Sequence, residues 1–198
     1  MDKLIDKIID EMKKGNAITD DEENEEIVRL GLELMITKAI FAIVIVIVGL
    51  LMGCFFESVV FAISFSLLRE YGGGYHAETR IKCFLLSFIT LVVSLGIIIL
   101  AKNLPVLTLP FITVSIISAI YILCKAPIDT ANKRLDKDDI RVYGNKTRVL
   151  TVILLFVAVL LLYFGINNLA FAVLTGIIIE VYLMIKGQIS NYINREEV

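Results

Sequence analysis

The chain has no tryptophan, a single histidine, three prolines and three cysteines in 198 residues. Cys54, Cys83 and Cys124 are scattered and odd in number, which excludes an internal disulfide framework and leaves no CxxC pair for a metal, so all three read as free thiols. No cofactor or metal is expected. The triple glycine Gly72-Gly73-Gly74 is followed by no GKS or GKT, which sets aside a phosphate-binding loop. A cleavable leader is not expected, since the first apolar run starts near residue 36, behind a charged segment and without a cleavage-site pattern. No internal repeat and no soluble domain are visible, and nothing points to a nucleic-acid partner.

What the chain has in abundance is apolar sequence. It is 58% hydrophobic with a mean hydropathy of +0.83, and its apolar residues come in runs such as Ile40 to Leu51 and Val149 to Phe164. A soluble domain of this length would be nearer half apolar, with those residues spread periodically. Backbone groups have no water to bond in a bilayer core, so such runs read as transmembrane helices. The fold class is therefore all-α, a polytopic membrane protein with six transmembrane helices behind N-terminal amphipathic helices. The expected spans are about 37–54, 57–70, 82–101, 107–124, 149–164 and 168–186, with Glu57 near the first turn. The whole is a single membrane domain: 1–36 amphipathic, 37–186 a six-span bundle, 187–198 a tail.

Within the N-terminal part, Leu4, Ile5, Ile8, Ile9 and Met12 share one helical face with Asp6, Lys7, Asp10 and Lys14 largely opposite. That pattern suits a helix lying in the membrane interface or packing on the bundle, and it offers a face for a homodimer. Thr19 followed by Glu22 fits a capping box that opens a second helix. Charge sets the orientation. The segment 69–82 carries Arg69, Arg80 and Lys82, the segment 125–148 carries seven Lys and Arg, and the C-terminal tail carries Lys186 and Arg195, whereas the intervening turns hold Lys102 alone. The positive-inside rule then places both termini and both basic loops on the cytoplasmic side of a multi-pass cell-membrane protein.

The polar island from Arg69 to Cys83 lies between apolar walls and contains the lone histidine, His76. Cysteine attacks as its thiolate, and a neighbouring histidine is the usual means of forming it near neutral pH. On a continuous helix His76 and Cys83 would share a face yet sit ~10 Å apart along the axis. A direct contact therefore requires the chain to fold back, and the glycines supply that freedom. Cys83 near a helix start would also gain thiolate stabilisation from the helix dipole. Cys54 and Cys124 lie among apolar residues and read as small hydrophobes. The bland alternative is a solvated loop histidine beside an unremarkable thiol.

The motif Gly73-Gly74-Tyr75-His76-Ala77, with Thr79, Cys83 and then Ser87, resembles the signature of the AgrB family, accessory gene regulator membrane peptidases of bacterial quorum sensing. A second stretch, Ala126-Pro127-Ile128-Asp129-Thr130-Ala131-Asn132-Lys133-Arg134-Leu135, is similar to that family's A-P-x-D-T-x-N-K-P-L segment, with Arg134 in place of its proline and Ala131 in place of its usual acid. The resemblance implies a cysteine endopeptidase that removes the C-terminal tail of an AgrD-type precursor peptide and promotes closure to a thiolactone or lactone. Carried over by position, the catalytic pair is His76 and Cys83, with Arg69 and Gly74 supporting.

Other groups near this pair are open. Glu78 could orient His76 or pair with Arg80 or Lys82. Asp129 could reach across from the second motif or cap a turn. Ser87, one turn after Cys83, could hydrogen-bond near the site or simply pack. Lys133, Arg134 and the neighbouring bases could attract an acidic substrate tail or only satisfy the positive-inside bias. The rival functions are a small transporter or peptide exporter, for which Glu57 and Glu180 are the candidate intramembrane charges, and a membrane scaffold in which the glycine island is a connector.

Overall fold

In a computed structural model, residues 2–15, 21–75, 79–129 and 136–196 are described. They form seven α-helices: α1 Asp2–Lys14, α2 Glu22–Leu51, α3 Phe55–Gly72, α4 Arg80–Asn103, α5 Thr108–Lys125, α6 Lys137–Tyr163 and α7 Asn167–Glu196, with a 3₁₀ turn at Pro105–Leu107 ahead of α5. Five of them, α2, α4, α5, α6 and α7, are long and apolar enough to cross a membrane. The sixth expected span, α3, carries Glu57, Arg69 and Glu70 in 18 residues, which is ~27 Å of helix and close to the hydrocarbon thickness.

The chain divides into two compact units, residues 1–47 and 48–198. In the first, Ile5 and Ile9 of α1 are buried while Asp6, Lys7 and Asp10 are exposed, the amphipathic division its sequence dictates. Lys13 pairs with Glu25 at 2.7 Å and Arg29 with Asp6 at 2.7 Å, tying α1 to the start of α2. The amphipathic stretch and the first span are one continuous helix rather than two, because no proline interrupts it and Gly31 and Gly49 are accommodated within it. Thr19 lies outside the described residues.

The second unit is built around α7, which touches α3, α4, α5 and α6. The most apolar window of α7 is 72% buried, against 22% for those of α4, α5 and α6. Its small residues permit this. A Cβ on Gly176 would stand 3.1 Å from both the Phe65 nitrogen and Ser64 Cβ, so glycine lets α3 lie close. Along the pair, Gly176 meets Ser64, Glu180 meets Gly72 and Gly187 meets Gly74 and Tyr75, so α3 and α7 run parallel, and α3 ends beside the middle of α7, which continues past Gly187 to Glu196. Leu68, Ile122, Ile128, Ile177 and Met184 fill the core between them and α5.

Three boundaries differ from expectation. Helix α6 begins at Lys137, twelve residues before the expected span at 149, so 125–148 is not one long loop. Asp138 and Asp139 in its first turn complement the helix dipole, a cue that hydropathy does not register. Helix α7 continues to Glu196, so the expected tail is helical. Gly72 is the last residue of α3 rather than part of a flexible run, and the unusual backbone belongs to Gly73 and Gly74, with φ of 74° and 106°.

Candidate functional site

The polar island sits where α3 ends against the side of α7, beside Leu183 and Gly187. Past Gly72 the chain leaves the helix, and Arg69, one turn back, holds the departing backbone: its guanidinium donates through Nη1 to the Gly73 carbonyl and through Nη2 to the Tyr75 carbonyl. The two planar branches of arginine suit two carbonyls flanking one residue. The intervening Gly74 has no room for a side chain, since a Cβ there would stand 2.7 Å from Arg69 Nη1 and 2.9 Å from the Leu183 oxygen. The Tyr75 nitrogen donates to the Leu183 carbonyl at 2.9 Å, and Gly187 gives the segment its seat, as a Cβ there would come within 2.7 Å of that nitrogen. The Lys186 ammonium lies 4.0 Å from the Tyr75 ring centroid. One face of α7, marked by Glu180, Leu183, Gly187 and Asn191, thus carries the island.

The second motif meets the first directly. The Ile128 nitrogen donates to the Gly72 carbonyl at 2.9 Å, and Gly73 and Ile128 form a parallel β-bridge. A Cβ on Gly73 would fall 2.2 Å from the Ile128 oxygen, which is why glycine stands there. The Ala126–Pro127 peptide is cis, and Gly144 of α6 passes 3.1 Å from Pro127 by the same measure. Asn191 donates to the Asp129 carbonyl, so α7 holds both motifs; the Asp129 side chain is exposed.

Beyond the island Thr79, with extended backbone, caps α4, its hydroxyl accepting from the Lys82 nitrogen at 3.3 Å. Cys83 falls in that first turn, its own nitrogen donating to the Thr79 carbonyl at 2.9 Å, and its side chain is exposed. The helix therefore breaks between Gly73 and Thr79, the interruption that a His76–Cys83 contact requires. Arg69 lies within electrostatic range of Cys83 as well as of Glu180. Ser87, one turn on, is half-buried. His76, Glu78, Lys133 and Arg134 lie outside the described residues. Among the described residues no group of three His, Cys, Asp or Glu side chains has metal-binding geometry.

The other thiols divide. Cys54 is buried ahead of α3, whereas Cys124 is exposed near the end of α5, which corrects its reading as a buried hydrophobe. Two basic residues of the 125–148 segment have structural roles. Arg148 donates to the Leu123 carbonyl at 3.0 Å, closing the C-terminal turn of α5, and Lys146 lies 4.7 Å from the Tyr71 ring centroid. Sequence reasoning missed the α7 contribution. Its signal was the spacing of Glu180, Leu183, Gly187 and Asn191, three or four residues apart on one helical face.

Comparison with known proteins agrees with these motifs. The family model described as "Accessory gene regulator B" matches residues 5–184. An AgrB-like protein of Clostridium perfringens strain SM101 is 28% identical over 191 residues, covering 92% of this chain and 86% of that protein. A second, of C. perfringens strain 13, is 30% identical over 170 residues, covering 81% of this chain and 78% of its own length. No solved structure matches. With its long apolar helices this is a multi-pass membrane protein, and with nearly its whole length matched, the chain belongs to the accessory gene regulator B family.

Proposed function

We infer that the chain acts in the accessory gene regulator quorum-sensing system, a role its family membership supports. We propose that within it the chain is a cysteine endopeptidase that cleaves the C-terminal tail from an AgrD-type precursor at the cytoplasmic face. The observation that carries this reading is the break in the helix between Gly73 and Thr79. It leaves Cys83 exposed in the first turn of α4, with the Arg69 guanidinium in electrostatic range. An exposed thiol in the first turn of a helix is accessible to the scissile carbonyl of a bound peptide.

His76 takes the Cys83 proton, and the thiolate adds to the scissile carbonyl. The resulting oxyanion is met by N–H groups at the start of α4, where Arg80 and Ile81 have no intrahelical carbonyl to satisfy them. Collapse expels the tail as an amine that takes its proton from His76, leaving the peptide as a thioester on Cys83. An internal Cys or Ser of the precursor then displaces Cys83, closing the ring and returning the thiolate. A site at the membrane edge limits water and so favours ring closure over hydrolysis.

The parallel run of α3 beside α7 supports counting α3 as a sixth span. Both termini then fall on the side of the island, which the positive-inside bias makes cytoplasmic. The exporter reading gains little, because Glu57 lies 3.8 Å from Lys102 at the opposite end of α3 from Gly72 and Glu180, so the two acids do not share a path. Co-expression with an AgrD-type precursor tests the reaction. Cys83→Ala and His76→Ala should each abolish tail removal while the protein still inserts, and normal processing by Cys83→Ala would sink the assignment.

A further inference from the structure

Glu180 is fully buried in α7, and among the described residues neither carboxylate oxygen has a hydrogen-bond partner. An ionisable group at such depth is costly and calls for a physical reason. Its surroundings supply one. Glu180 lies under the last turn of α3, where a Cβ on Gly72 would stand 2.7 Å from Oε1 and 3.6 Å from the Thr147 methyl. The Thr147 hydroxyl is turned to the Tyr143 carbonyl, so it does not serve the carboxylate. Arg69 stands three residues before Gly72 on the same helix end, and its Nη1 reaches the α7 surface one turn beyond Glu180: the position a Gly74 Cβ would take is 2.7 Å from Nη1 and 2.9 Å from the Leu183 oxygen. The guanidinium, in turn, directs two hydrogen bonds at the Gly73 and Tyr75 carbonyls, which are neutral and leave its charge uncompensated. The half-buried arginine cannot shed that charge by deprotonating, and in a poorly screening interior the attraction to a carboxylate falls off only slowly with distance.

We propose that Glu180 is a positioning residue: its carboxylate is the buried counter-ion that keeps the Arg69 guanidinium beneath the glycine island, where Arg69 clamps the backbone leading to His76. The absent side chain at Gly72 leaves room for the Glu180 carboxylate, whose Oε1 lies 2.7 Å from where a Cβ would stand. Without Glu180, the half-buried guanidinium gains by turning fully out to the aqueous boundary, as long basic side chains near helix ends do. The Gly73 and Tyr75 carbonyls are then released. This inference rests on the peptidase reading for its consequence in catalysis, but its structural core does not require a substrate.

The test is hydrogen exchange over residues 72–79 of the purified full chain in detergent, with precursor cleavage measured alongside. Glu180→Gln keeps the shape and removes the charge, so packing alone would not be disturbed. It should raise exchange in the island about tenfold while the amides of the α7 core are unchanged, a local opening rather than global unfolding. Cleavage should lose about tenfold in kcat with KM within about threefold. Glu180→Asp should recover part of both. Arg69→Gln should open the island to the same degree, and the double variant should be no worse than either single one, since the two act as a unit. Wild-type exchange in Glu180→Gln, an aspartate variant no better than glutamine, or an additive double variant would each overturn the proposal. If Glu180→Gln does not accumulate, the double variant decides: accumulation at wild-type levels supports the counter-ion, and its loss overturns it. Exchange is read without precursor, so a wrong reaction would show as absent cleavage in the wild type while the exchange comparison still stands.

Discussion

Arg69 and the two glycines it brackets show how few atoms fix the site. The guanidinium grips carbonyls on both sides of Gly74, and Gly74 combines a φ of 106° with contacts that exclude a side chain. Gly74→Ala should therefore lower unfolding free energy by about 2 kcal/mol or more, from the left-handed backbone alone, read by thermal unfolding in detergent. Arg69→Lys keeps the charge but loses the fork, and should retain the fold while cleavage drops by an order of magnitude or more. The thiols separate cleanly: N-ethylmaleimide should label Cys83 and Cys124 in the folded protein and Cys54 only after unfolding, and Cys54→Ala and Cys124→Ala should keep processing. At this scale the chain was legible where residue type is restrictive. Glycines, a lone histidine and one cysteine in a polar island are conspicuous among apolar walls. The exposure of Cys124 was not legible, because apolar neighbours in sequence do not say which face of α5 a residue occupies.

Among the elements, α7 organises the rest, and hydropathy gave no hint of it. All the long helices look alike to a composition window, and only packing distinguishes a central one from those facing lipid. Its glycines make the distinction testable. At Gly187 any side chain runs into Gly74 and Tyr75, so Gly187→Val should dislodge the island and abolish processing while helix content by circular dichroism is kept. Gly96→Ala in α4 is the contrast: nothing lies within 4 Å of its Cβ, so it should be neutral or stabilise by up to about 1 kcal/mol through helix propensity. The boundaries at Lys137 and Glu196 escaped the sequence reading for a related reason. Polar helix beyond a membrane span is held by capping charges and by contacts such as Asn191 to Asp129, not by hydrophobicity.

For the whole molecule, Gly73 and Ile128 belong to motifs far apart in sequence yet share a β-bridge, and α7 holds both. Sequence offered the motifs separately; their meeting depends on the level at which α3 ends against α7, where Leu183 and Asn191 hold both. If six spans place that level in the cytoplasm, cysteines introduced by Leu104→Cys and Asn167→Cys in an otherwise cysteine-free chain should react with an impermeant maleimide on intact cells, and one from Ser190→Cys should not. The peptidase reading itself stands or falls on Cys83. Its sharpest test is rapid quenching of the purified protein mixed with an AgrD-type precursor lacking its ring-closing residue, followed by intact mass and peptide mapping. An adduct should appear on Cys83, equal in mass to the precursor without its tail and released by hydroxylamine as a thioester must be. Tail removal with Cys83 unmodified throughout, or undiminished in Cys83→Ala, would refute it.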